Sequence, residues 1–110
     1  MAGGKLWIQR DRFGNGIYLT RERWEHITEP DNHFEVAPYF DYVKETIRLG
    51  RRRQDAFDPN GYQYYRSFQN LPDHNTHLVV CVRFRWHTEP NGVVHEEKFV
   101  TTAYFQSFEE

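Results

Sequence analysis

From Thr20 to Gly50 the apolar residues of this chain keep a helical spacing, and after Gly50 a two-residue one. That switch constrains the fold, because a stripe that lines up on a helix scatters over both faces of a strand. Before the break, Thr20 can cap a helix starting at Arg21, its hydroxyl accepting an orphan backbone N–H. Trp24 and Ile27 share a side of that helix and Pro30 ends it. Pro38 suits the first turn of a second helix with the stripe Phe40, Val43 and Ile47, and Gly50 stops it. After the break, strands are expected over residues 51–57, 62–68, 78–86 and 98–105. Asp58-Pro59-Asn60-Gly61 and Glu89-Pro90-Asn91-Gly92 are the turn signals between them. In the clearest strand, Leu78, Val80, Val82, Phe84 and Trp86 take one face, and Val79, Cys81, Arg83 and Arg85 the other. Helices followed by hairpin-spaced strands predict an α+β fold, with two N-terminal helices packed on one face of a four-stranded antiparallel sheet. Asn15-Gly16 is a turn dipeptide between apolar runs, so a short N-terminal hairpin ahead of this unit is a further option. The second sheet face is left open to carry a site.

Length and composition narrow the classes. The 110 residues fit a single domain, 1–110, with enough apolar side chains for a core. No apolar run approaches the roughly 18 residues of a membrane span, so no membrane partner is expected. The single Cys81 excludes an internal disulfide and, with no leader-like segment in view, fits a reducing cytoplasm. Within its apolar strand, Cys81 reads as a small buried hydrophobe rather than a nucleophile. His74 and His77 are three apart, but Pro72, Asp73 and Asn75 set them in a loop. No second Cys or paired-histidine helix motif accompanies them, so neither a metal nor a cofactor is expected.

A formal charge of −2 excludes a strongly basic, indiscriminate nucleic-acid binder. Its distribution says more. Lysine supplies only three of the 14 basic residues, and the rest are arginine, whose planar fork matches phosphate. Arg51, Arg52 and Arg53 enter the sheet after the second helix, and Arg66, Arg83 and Arg85 lie on neighbouring strands. A positive stripe forms on the open face if Arg52, or the pair Arg51 and Arg53, points the same way as Arg83 and Arg85. The acidic residues gather between Glu22 and Glu45, and at Glu96, Glu97, Glu109 and Glu110. Solvation of an exposed sheet face is the plainer explanation of the strand arginines. His26 is the one candidate for acid–base work, since histidine exchanges protons near neutral pH. Capping the end of the first helix is its plainer role.

Five segments in order resemble a known group. They are Ile17-Tyr18-Leu19-Thr20-Arg21-Glu22-Arg23-Trp24-Glu25-His26-Ile27, Val43-Lys44-Glu45-Thr46-Ile47, Gly61-Tyr62-Gln63-Tyr64-Tyr65-Arg66, Leu78-Val79-Val80-Cys81-Val82 and Phe99-Val100-Thr101-Thr102-Ala103-Tyr104. Together they are similar to the barnase, EndoU, colicin and RelE-like nuclease domains, in their small phage and mobile-element branch. The resemblance runs from Ile17 to Phe105. It departs at Asp31-Asn32-His33-Phe34-Glu35, where many members have His-Pro-Glu. It implies a metal-independent ribonuclease site on the open side of the sheet. By position, the helix histidine is His26, the strand arginine Arg66, the final-strand hydroxyl Thr102 or Thr101, and the aromatic beside the arginine Tyr65.

Such a site needs a base for the 2′-OH, an acid for the leaving 5′-oxygen and a cation for the phosphorane. The expected catalytic set is His26, Arg66 and Thr102. Tyr65, Thr101, Arg53, Arg83 and Arg85 are the expected substrate contacts. Strand alternation allows only one of Tyr64 and Tyr65, and one of Thr101 and Thr102, to face it. The expected function is a toxin-type endoribonuclease acting on RNA, with a protein inhibitor (antitoxin) or a second copy of the chain as further partners. The alternative is a non-catalytic protein- or RNA-binding module on the same fold.

Overall fold

The computed structural model describes residues 4–108, so Glu109 and Glu110 of the acidic tail lie outside the described residues. The elements run β1 (Lys5–Arg10), β2 (Gly16–Thr20), α1 (Arg21–Ile27), a 3-10 segment (Phe34–Tyr39), α2 (Phe40–Leu49), β3 (Arg51–Gln54), β4 (Gly61–Ser67), β5 (His77–Thr88) and β6 (Val94–Gln106). Two strands come ahead of the helices, but the α+β class follows the sequence pattern. The four-stranded antiparallel sheet does not. All six strands join one sheet in the order β1-β2-β6-β5-β4-β3, and β2 meets β6 in parallel, Tyr18 opposite Phe99. The sheet is therefore mixed, and the N-terminal hairpin is part of it rather than an appendage. The reason is twofold. Ile17 and Leu19 need a core to be buried in, and β6 would otherwise present a bare edge.

The helices differ from expectation as well. Among the described residues only α2 lies centrally on the sheet, packed on β4, β5 and β1. The short α1 follows β2 without a break and runs beside β6 at the sheet rim. Thr20 does cap it, accepting the Arg23 N–H at 3.1 Å. Pro38 falls in the 3-10 segment ahead of α2 instead of in its first turn. Trp24 and Phe40 join the two helices edge to face, ring centroids 5.0 Å apart.

Register assigns the faces. Leu78, Val80 and Val82 of β5 lie opposite Phe105, Ala103 and Val100 of β6, and Tyr64 of β4 lies opposite Val80. Apart from Phe105, which is half-buried and packs against them, these form the buried core with Ile17, Leu19, Ile27, Val36, Val43 and Ile47. Each such aliphatic side chain contributes about 1.5–3 kcal/mol through burial. A β-bulge keeps both Val100 and Ala103 on the core side although they are three apart: Cys81 pairs with Thr102, Val82 pairs with Val100, and Thr101 is the extra residue.

The turn between β1 and β2 closes over the core. Its Asp11 carboxylate accepts the Tyr64 hydroxyl, the Phe13 and Asn15 backbone N–H groups at 2.9 and 2.8 Å, and Asn15 Nδ2 at 3.0 Å. The Arg52 guanidinium lies 3.9 Å from this carboxylate, between the rings of Phe13 (4.1 Å) and Tyr62 (4.5 Å).

Gly50 ends α2 for a steric reason. Its backbone is extended (φ −71, ψ 161), which any residue adopts, but an added Cβ would run into the Thr46 carbonyl oxygen and lie 2.8 Å from that of Tyr65. Both are backbone atoms and cannot swing away. Gly50→Ala is expected to destabilise the fold by about 2 kcal/mol or more, read as a lower denaturant midpoint with an unchanged slope.

Candidate functional site

Opposite the core, the sheet has a second face that no helix covers. Strand pairing puts Arg53, Gln63 and Cys81 in one row, and Arg51, Tyr65 and Val79 in the next. Arg83 and Arg85 share this face, opposite Phe99 and Glu97. Arg51 and Arg53 thus do point the same way as Arg83 and Arg85. The stripe is partly neutralised, however. Arg83 Nε donates to Asp58 at 3.1 Å and Arg85 Nε to Glu97 at 2.9 Å, while Arg53 Nε donates to Gln63 Oε1 at 2.7 Å. Of these two acids, Asp58 lies outside the stretches where the sequence gathers them.

At the rim where α1 meets this face opens a cleft of about 650 Å³. Tyr18 and Phe99 supply its aromatic wall, their ring centroids 5.8 Å apart. Arg85 reaches in from β5, with its guanidinium 5.0 Å from the Phe99 ring. From α1 and the turn after it come His26 and Glu29, with His26 Nδ1 3.5 Å from Glu29 Oε1. Glu22 and Glu25 line the same space. The physical cause is the direct β2-to-α1 junction: Trp24 and Ile27 face the core, so the intervening turn of helix leaves His26 toward the opposite face.

Of the residues expected to form one site, His26 and Arg85 both line this cleft. Arg66 does not. It shares its strand face with Tyr64, lies opposite Leu78, and turns to α2, where Arg66 NH2 is 3.8 Å from Glu45 Oε1. It lines a second cleft, with Arg12 and Arg51. Thr102 and Thr101 line neither cleft. Both are half-buried, and the bulge lets the Thr101 hydroxyl donate to the Cys81 carbonyl at 3.2 Å. Of the two tyrosines, Tyr64 is buried and Tyr65 is on the open face, packed on Phe108 at 5.4 Å and within 5.5 Å of the Arg53 guanidinium.

Tyr18, Phe99 and Glu29 were not singled out from sequence. Parity carries the signal for the first two: Tyr18 alternates with core Ile17 and Leu19, and Phe99 precedes core Val100. Nothing local points to Glu29. His33 also reaches the open face, its ring 5.8 Å from that of Tyr104.

Cys81 is chemically quiet. Burial, helped by the Asp55 charge, pushes its thiol up to about 11. Alkylation of the folded protein at neutral pH is expected to run at least about tenfold slower than for an unfolded control, measured by mass spectrometry.

No helix among the described residues is long and apolar enough to cross a membrane. The chain matches no family model, no curated protein and no solved structure.

Proposed function

We propose that the chain is a metal-independent endoribonuclease that works in the cleft between α1 and the open sheet face. The observation that carries this reading is one cleft lined by His26 and Arg85, from separate elements, beside the Tyr18–Phe99 wall. An unpaired base stacks on such rings with little sequence preference. Arg85 is held through Nε by Glu97, which leaves its terminal N–H groups to face a phosphate. His26, oriented by Glu29, moves a proton to or from the ribose, and Glu22 or Glu25 supplies the second acid–base group. Attack of the 2′-oxygen on the adjacent phosphorus then expels the 5′-oxygen, which leaves protonated, and Arg85 balances the extra charge of the phosphorane. The sequence resemblance to nuclease domains supports the same class, with Arg85 in the phosphate role in place of Arg66. The test is incubation of the full chain with structured and unstructured RNAs, with and without chelator. Cleavage that survives chelation supports the reading, and intact RNA across all substrates overturns it.

One observation favours the non-catalytic alternative. Three carboxylates, Glu22, Glu25 and Glu29, line the cleft and oppose a polyanion. A binding module would hold its partner there without turnover.

A further inference from the structure

The second cleft has the opposite chemistry. It encloses about 410 Å³ beside the C-terminal end of α2, and no carboxylate lines it. Three arginines from three elements line it: Arg12 from the β1–β2 turn, Arg51 from the start of β3 and Arg66 from β4. Like charges gathered this way repel unless something offsets them. The available offsets are small. Arg66 has the 3.8 Å contact with Glu45 and the face of the Phe68 ring at 5.5 Å, and its buried Nε lacks a hydrogen-bond partner among the described residues. Arg12 and Arg51 are exposed and have no acidic partner among the described residues. The negative end of the α2 dipole, at Leu49 and Gly50, favours one nearby cation by a fraction of the needed amount. The Ser67 hydroxyl adds a neutral donor to the same wall.

We infer that this cleft binds a phosphate group, carried either by a small phosphorylated molecule or by an RNA strand. Arginine forks offer paired N–H donors to phosphate oxygens, and an arriving dianion removes the repulsion among the three side chains. The inference is independent of the ribonuclease reading, since it uses no residue of the His26 cleft.

The experiment is a calorimetric titration of the full chain with inorganic pyrophosphate. Saturable one-site binding is expected. Arg12→Gln and Arg51→Gln, both at exposed positions that leave the core intact, should each weaken it by about fivefold or more. Arg21→Gln, an exposed charge on α1 outside both clefts, should change it less than about twofold. Displacement by a 2′-O-methyl oligonucleotide, which cannot be cleaved, assigns the phosphate to a strand. Lack of displacement assigns it to a small molecule. Absence of saturable binding overturns the inference. So does binding that Arg12→Gln and Arg51→Gln leave untouched, or that Arg21→Gln weakens equally.

Discussion

His26→Ala should lower chelator-resistant RNA cleavage by roughly a hundredfold or more, the usual contribution of a positioned general acid or base. Arg66→Ala should lower it far less, by under about tenfold, because it removes at most one phosphate contact outside the His26 cleft. The contrast follows from placement. The His26 side chain is 58% exposed at the mouth of the α1 cleft and contributes nothing to the core, so its removal costs chemistry rather than folding. Arg66 lies on the other side of β4, against Glu45, and does not share space with His26. Arg85→Gln should behave like His26→Ala, because it removes the cation facing the phosphate while keeping the side chain's length. Rates measured on one fluorogenic RNA, with circular dichroism to verify folding, decide the matter. Loss of activity in Arg66→Ala with retention in His26→Ala would move the site to the second cleft. Equal retention in all three would remove the catalytic reading from the α1 cleft.

The largest stability effect is expected at Asp11. Its carboxylate is buried, and Asp11→Ala would strand the Tyr64 hydroxyl, the Arg52 guanidinium and two backbone N–H groups at once. Breaking such a buried network costs about 3–5 kcal/mol, seen as a lower denaturant midpoint. Acid should act at the same place. Burial pushes the Asp11 carboxyl up, but hydrogen bonds from Tyr64, Asn15 and Phe13 outweigh it, and the net position is below the ordinary 3.8. A carboxyl depressed by folding adds stability that is complete above its unfolded value and fades as pH falls through the folded one. Stability should therefore hold down to about pH 4 and decline below it. Asp11→Asn should be less stable at neutral pH and flatter in that acid window. A variant as stable as the parent at pH 7, with the same acid profile, would show that the turn does not fasten the core.

Much of the secondary structure is legible in single segments. The stripe of Val43 and Ile47 is one face of α2, the alternation from Leu78 to Val82 is the centre of β5, and Thr20 caps α1. These are local facts, set by side-chain spacing and by the backbone groups at an element's end. Asn15-Gly16 shows how a local signal can slip. The turn forms at Asp11–Asn15 with Gly14 at φ 88, because Asp11 gathers the turn's N–H groups and Gly16 already pairs with Arg10.

By its sequence alone, this protein is α+β, with hairpin-spaced strands after Gly50 and arginines alternating against an apolar face. Period and turn chemistry act over a few residues, so they need no knowledge of the rest of the chain. Tertiary structure alone decided that β2 pairs in parallel with β6, that the sheet has six strands, and that His26 shares a cleft with Arg85 rather than Arg66. Tyr18 and Phe99 lie more than eighty residues apart, and their pairing depends on which free edge the hairpin can cover while burying Ile17 and Leu19. The faces of the final strand turn on one extra residue at Thr101, where alternation breaks. A single bulge reverses the sides on which all later side chains point, and only the assembled ladder reveals it.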